Sequence, residues 1–283
     1  MSGGEVKFPL DDLLRRDRFP HLWCQGCGLG IILSTFCRAV LEADIDLDDL
    51  VVASGIGCAG RLPGYLNCDT FHATHGRAIP LASGAKIANP DLKVVVISGD
   101  GDLFAIGGNH FIHAARRNLE MLVICSNNFN YGMTGGQLGP TTPFQALTKT
   151  TPFGNWEEPL NLVRLAAAAG ATYVARWTVT YAQRLTNSIK KGLQREGFAF
   201  IEVVSPCPAI YGEMNEQGSA WQMWEELEAV SRIRDGIPPA EASFDLHERI
   251  ICGDFIDRER MGYTLRLRQN RDVARQEGLA GYG

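Results

Sequence analysis

A chain of 283 residues, 45% hydrophobic and 21% charged, can bury a full core; this excludes intrinsic disorder and favours one large domain over two small ones. A formal charge of −5 with a pI near 5.7 leaves no general basic field for nucleic acid, and no apolar run is long enough to suggest a membrane span. Residues 1–5 lack a basic-then-apolar leader pattern, so the eight cysteines are expected to stay reduced in a cytoplasmic setting, available to metal or catalysis.

Residues 8–20 mix aspartates with Arg15, Arg16 and Arg18 and lead into Trp23-Cys24-Gln25-Gly26-Cys27-Gly28. Leu29, Ile32, Leu33, Phe36 and Val40 recur at helical spacing, which predicts a helix over 28–42 and puts Cys24 and Cys27 on the loop entering it. Cys37, inside that helix, reads as core. A strand over 50–54 then ends in Gly55-Ile56-Gly57-Cys58, where the glycines let backbone approach a ligand closely. His75 immediately precedes a small-residue helix (80–89) and is a candidate catalytic side chain.

The stretch 93–128 organises the rest. Lys93-Val94-Val95-Val96-Ile97-Ser98-Gly99-Asp100-Gly101-Asp102 reads as a strand, about a dozen helix-like residues follow, and Met121-Leu122-Val123-Ile124-Cys125-Ser126-Asn127-Asn128 reads as a second strand. Aliphatic runs without alternation suit strands buried on both faces of a parallel sheet. A crossover of this length sets their C-terminal loops side by side, at the edge where open α/β sheets bind ligands. Asp100 and Asn127-Asn128 would meet there as hard oxygen donors, a set that suits Mg²⁺ with coordination sites left free for phosphate oxygens. Taken singly, Gly-Asp and Asn-Asn are also ordinary turn dipeptides.

The Gly/Thr/Pro-rich loop 130–143 is expected to border a substrate. Helix, strand, helix and strand then alternate over 160–205, extending the α/β layer. The expected organisation is a main domain over 1–212 and a C-terminal extension over 213–283 that contacts a partner, with Trp221, Trp224 and Leu227 on one helical face and a polar tail over 266–283.

Cys24, Cys27, Cys58 and Cys207 all fall on loops whose ends can share the sheet edge of Asp100. One Cys-x-x-Cys pair with two distant single cysteines is compatible with a [4Fe-4S] cluster, and the final Cys-Pro fits that pattern; a four-cysteine zinc site stays open as the competitor.

Two sets of residues carry a family resemblance. Gly99-Asp100-Gly101, with Asn128 following 28 positions after Asp100, resembles the diphosphate-binding motif of thiamine diphosphate enzymes. That resemblance implies Mg²⁺ ligation by Asp100, by the Asn128 side chain and by the Asn130 carbonyl. Trp23-Cys24-Gln25-Gly26-Cys27-Gly28, Gly55-Ile56-Gly57-Cys58, His75-Gly76-Arg77-Ala78, Gly107-Gly108-Asn109-His110-Phe111, Tyr131-Gly132-Met133-Thr134 and Pro206-Cys207-Pro208 together resemble the β subunit of 2-oxoacid:ferredoxin oxidoreductases over roughly residues 20–210.

The resemblance implies a thiamine diphosphate fold, an α/β structure with a mostly parallel sheet and helices on both faces. It implies a cofactor set of Gly57, Cys58, His75, Gly99, Asp100, Gly101, Asp102, Asn128, Asn130 and Tyr131, and one [4Fe-4S] cluster on Cys24, Cys27, Cys58 and Cys207. The implied reaction is CoA-dependent oxidative decarboxylation of a 2-oxoacid, with electrons leaving through the cluster to ferredoxin, and with His75 placed to hydrogen-bond substrate. An α subunit would supply the aminopyrimidine-binding domain, in an (αβ)₂ assembly. Loop 131–137 resembles 2-oxoglutarate-using relatives, with Arg61 the nearest cation for a distal carboxylate, whereas Gly135 in place of a lysine departs from some members. The competing readings are a non-redox thiamine decarboxylase or carboligase half with structural zinc, and a zinc-stapled interaction module.

Overall fold

Period-two alternation within the aliphatic runs splits their side chains between two faces, and each face carries its own core. The computed structural model describes residues 8–276; residues 1–7 and the end of the polar tail, 277–283, lie outside the described residues. In chain order the elements are α1 (Leu29–Glu42), β1 (Leu50–Ser54), β2 (Asp69–His72), α2 (Ala78–Ala88), β3 (Lys93–Gly99), α3 (Gly108–Arg117) and β4 (Met121–Asn127). A small hairpin of β5 (Asn130–Tyr131) and β6 (Gln137–Leu138) is followed by α4 (Leu162–Ala169), β7 (Tyr173–Thr178), α5 (Ala182–Gln194) and β8 (Phe198–Val204). The chain ends in α6 (Ala220–Val230), β9 (Ser231–Ile233), β10 (Phe244–Asp245), β11 (Arg249–Asp257) and α7 (Tyr263–Gln276).

The main sheet runs β10-β11-β7-β8-β4-β3-β1-β2, with β9 paired to β11. From β7 to β2 every pairing is parallel, as expected, and β11 joins β7 antiparallel. Val52, Val95, Ile97, Leu122, Ile124 and Ile201 face α1 and α5, while Val51, Val94, Val96, Val123, Phe198 and Phe200 face the core shared by α2, α3 and α4. Every residue of β4 and of β8 is buried, which is why neither shows a polar stripe.

Two features went unread in the sequence. β2 lies at the sheet edge and exposes most of its residues, so it lacks an apolar signature. The segment 213–283, expected as an extension, places β9, β10 and β11 on the main sheet, with Ile250, Ile251, Cys252 and Phe255 buried. On α6 the buried residues are Met223 and Leu227, and Trp221 of the expected face is 69% exposed.

Candidate cofactor cleft and cysteine cluster

After β1 the chain turns outward to β2, and after β3 it turns the opposite way to β4, so the loops leaving β1 and β3 diverge and leave a crevice at their carboxyl ends. This cleft, of about 170 Å³, is lined by Gly57, Cys58, His75, Gly99, Asp100, Gly101, Asp102, Asn128, Asn130 and Tyr131, every member of the expected cofactor set. Its volume falls below the roughly 300–1,000 Å³ of sites that enclose a whole small ligand, so it suits one end of a larger molecule.

Asp100 caps the π-helical turn Gly101–Ile106 directly after β3 and is 1% exposed. Its Oδ2 accepts the Thr141 hydroxyl (2.7 Å) and its Oδ1 accepts the Asn128 N–H (3.4 Å). The Asn128 side-chain oxygen faces Asp100 Oδ1 at 3.2 Å and the Asn130 carbonyl oxygen at 2.8 Å. Turned over, the amide NH₂ donates to both of these oxygens and no cation is needed; with its oxygen inward the same side chain presents a metal-ligating atom. The donor set, one carboxylate with two neutral oxygens, is what Mg²⁺ takes when phosphate supplies the remainder. The buried Asn130 Oδ1, without a hydrogen-bond partner, adds a further polar atom here. Burial pushes the Asp100 carboxyl up to about 6, against the weaker opposing pull of the Thr141 and Asn128 hydrogen bonds. A cation at this point would hold it ionised.

Asp102 ties three loops together. Its Oδ1 accepts the N–H groups of Gly76 (2.7 Å) and Ile56 (3.0 Å), and its Oδ2 accepts the Ser98 hydroxyl (2.8 Å). The same carboxylate explains Gly55, where an added Cβ would lie 2.1 Å from Oδ2. Gly101 is likewise required by the Tyr131 ring, 2.3 Å from an added Cβ. Tyr131 also lies with its ring centroid 6.0 Å from that of His75.

The cysteine loops converge beside this cleft. The Trp23 indole N–H donates to the Cys58 carbonyl (2.8 Å), tying the Cys24–Cys27 turn to the loop after β1. An added Cβ at Gly28 would stand 3.2 Å from Pro206, and one at Gly26 would stand 3.5 Å from Pro208, so the turn packs on both neighbours of Cys207. Burial pushes the Cys27 thiol up to about 12, and Cys207, Cys58 and Cys24 each add to the rise. The four sulfurs thus lie within electrostatic reach of one another. Burial holds the Cys27 and Cys58 thiols protonated, and a metal centre would supply the compensating charge their thiolates need; four thiols are the donor type that an iron-sulfur cluster takes. Among the described residues no three His, Cys, Asp or Glu side chains are grouped tightly enough to hold a single ion.

Arg61 does not line the cleft; it opens onto a neighbouring cavity with Arg18, Tyr65 and His72. The sequence reading passed over Thr141, Ser98 and the interior pair Arg176–Glu202 (2.7 Å), because isolated polar residues in loops or strands carry no spacing signal.

The profile of the thiamine pyrophosphate enzyme family, C-terminal TPP-binding domain, matches residues 55–203, the span that builds the cleft. Fold and cleft together therefore define a thiamine diphosphate-binding domain. The 2-oxoglutarate synthase subunit KorB of Methanocaldococcus jannaschii is 50% identical over 254 residues, covering 90% of this chain and 94% of that protein. The β subunit of 2-oxoacid:ferredoxin oxidoreductase 2 of Aeropyrum pernix is 46% identical over 195 residues, 69% of this chain and 63% of that one. Among solved structures, the 2-oxoglutarate:ferredoxin oxidoreductase from Magnetococcus marinus with 2-oxoglutarate, coenzyme A and succinyl-CoA bound matches with a TM-score of 0.83 at 32% identity, covering 97% of this chain and 93% of that chain. The chain belongs to the β-subunit family of the 2-oxoacid:ferredoxin oxidoreductases, and it is one subunit of an oxidoreductase that works with partner subunits. No helix among the described residues is long and apolar enough to cross a membrane.

Proposed function

We propose that this chain is the β subunit of an enzyme, active only with an α subunit, that carries out the CoA-dependent oxidative decarboxylation of 2-oxoglutarate to succinyl-CoA and CO₂, passing two electrons through a [4Fe-4S] cluster to ferredoxin in the cytoplasm. The observation that carries the reading is the position of Cys58: it lines the same cleft as the oxygen set of Asp100, Asn128 and Asn130, while its thiol feels those of Cys24 and Cys207. A redox centre needs that proximity to a thiamine site; a structural zinc does not.

Thiamine diphosphate, when bound, supplies the carbanion chemistry that releases CO₂ from a 2-oxoacid. Asp100, the Asn128 side chain and the Asn130 carbonyl would hold Mg²⁺ and through it the diphosphate, and Gly57, with open space where a Cβ would stand, lets the ligand approach. His75 also lines the cleft, beside Tyr131, and would be placed to hydrogen-bond substrate. Cys24, Cys27, Cys58 and Cys207 would hold the cluster.

The small cleft and the exposed Ile56 and Met133 that line it fit a surface completed by another chain. That chain is an α subunit bearing the aminopyrimidine-binding domain, with the pair doubled into (αβ)₂. Because Arg61 points elsewhere, recognition of the distal carboxylate of 2-oxoglutarate falls to the α subunit.

The test is iron, sulfide, zinc and thiamine content of the anaerobically purified complex, with kcat/KM for 2-oxoglutarate and pyruvate measured with CoA and ferredoxin. Iron and sulfide at about four per chain, with 2-oxoglutarate preferred, support the reading. Zinc in place of iron, with CO₂ release that needs no electron acceptor, would establish the non-redox alternative. A pyruvate preference would refute the substrate.

A further inference from the structure

Arg176 and Glu202 face each other in register on β7 and β8, 0% and 1% exposed. The Arg176 Nε donates to Glu202 Oε2 (2.7 Å), and Glu202 Oε1 accepts from the Asn127 side-chain NH₂ (2.8 Å) at the end of β4. Asn127 Oδ1 lies 2.9 Å from the Thr141 hydroxyl, which in turn stands 2.7 Å from Asp100 Oδ2. The one Thr141 proton is shared between two acceptors, Asn127 Oδ1 and Asp100 Oδ2, so the buried polar contacts that cross β7, β8 and β4 reach the Asp100 carboxylate through a three-centre bond.

We infer that Arg176, Glu202, Asn127 and Thr141 are positioning residues that fix which oxygen of Asp100 is presented to the diphosphate-bound metal. The inference rests on the proposed function. A buried Arg–Glu pair is costly to desolvate and replaceable by apolar residues without loss of stability in many proteins, so stability alone does not account for it. Its geometry does: Asp100 Oδ2 is engaged by the Thr141 hydroxyl, while Oδ1 has only the long contact from the Asn128 N–H (3.4 Å) and the Asn128 side-chain amide 3.2 Å away. A carboxylate ligand held by a hydrogen bond on its second oxygen keeps one orientation, and removing such support weakens metal affinity by about 10–100-fold.

The far end of these contacts is held as firmly. Arg176 Nη1 donates to the Ser243 carbonyl (3.1 Å), Nη2 donates to Asn161 Oδ1 (3.1 Å), and the guanidinium lies 4.8 Å from the Phe244 ring centroid. The seat of the C-terminal segment around Ser243 and the metal ligand Asp100 therefore share one anchor.

The test uses the complete enzyme with its partner subunit, stripped of metal and cofactor. Mn²⁺ is titrated in the presence of thiamine diphosphate, with free Mn²⁺ read by electron paramagnetic resonance, and the Tm of the metal-free protein is measured beside it. Glu202→Gln breaks these contacts far from the metal; Val203→Ala, its neighbour on β8 facing the other core, is the control for lost stability. Glu202→Gln and Thr141→Val are expected to weaken Mn²⁺ binding about tenfold or more, Thr141→Ser to restore it to within about twofold, and Val203→Ala to lower Tm without moving it. Equal Mn²⁺ constants in Glu202→Gln and Val203→Ala overturn the inference while leaving the proposed function standing. A wild-type complex that binds neither Mn²⁺ nor thiamine diphosphate overturns both.

Discussion

His75 Nδ1 lies 2.9 Å from Oδ1 of Asp102, the carboxylate that already gathers the Ile56 and Gly76 amides and the Ser98 hydroxyl. The contact is close but not aligned as a hydrogen bond, so Asp102 places the histidine mainly by fixing the loop that carries it. Asp102→Ala strands three donors, each costing about 1–3 kcal/mol when left unmet, and should destabilise the protein by roughly 3 kcal/mol or more in urea unfolding. Asp102→Asn keeps an acceptor for the two amides and should cost distinctly less. Equal stability of the two variants would show that Asp102 is not the clasp.

Asp100 sets a pH dependence. Its folded value of about 6 lies above that of an ordinary carboxyl, so the metal-free fold binds this proton more tightly than the unfolded chain does. The resulting stabilisation is complete below about pH 4 and is lost as pH rises through about 6, a difference of roughly 3 kcal/mol at neutrality. Metal-free wild type should therefore lose stability relative to Asp100→Asn over that range, and Mg²⁺ with thiamine diphosphate should restore it at pH 7. Parallel pH profiles for the two proteins would contradict this. Asp100→Ala should also abolish cofactor retention in a folded protein, because it removes the anionic ligand of the oxygen set.

Cys58→Ala is expected to lose cluster iron and ferredoxin reduction together, while some 2-oxoacid-dependent CO₂ release survives, since loss of CO₂ precedes electron transfer. Iron content and ¹⁴CO₂ release, measured on the same preparation, decide it. Undiminished electron delivery to ferredoxin would remove Cys58 from the ligand set.

The arginines before Cys24 are engaged locally: Arg16 pairs with Asp11, Arg15 donates to the Cys68 carbonyl (3.4 Å) and Arg18 donates to the Gly64 carbonyl (2.9 Å). On the proposed function any electron exit would lie near the four cysteines, and a positive patch there would steer an acidic ferredoxin toward a chain of net charge −5. Changing all three to glutamine should slow ferredoxin reduction about tenfold at low salt and flatten its salt dependence, with reduction of a small neutral dye unchanged. If dye and ferredoxin rates drop together, the arginines serve the fold of this segment and not docking.

What the sequence determined by itself was the sheet and the donors at its edge. Strands such as β3 and β4 are local objects, legible because an unbroken aliphatic run has one good solution, and Asp100 and Asn128 were legible because a loop after a strand has little choice of where to stand, whereas Asn130 came only from the family resemblance. The cysteines could be listed, and the packing of Gly26 and Gly28 against Pro206 and Pro208 is what brings the first pair to the last. Only the tertiary structure placed β11 beside β7, turned Arg61 away from the cleft, and joined Arg176 to Asp100 through Glu202, Asn127 and Thr141. Those relations depend on strand register and on which face of a strand each polar side chain takes. A single buried arginine or threonine leaves no periodic trace in the sequence, because its partners are set by neighbours in space that lie tens of residues away along the chain.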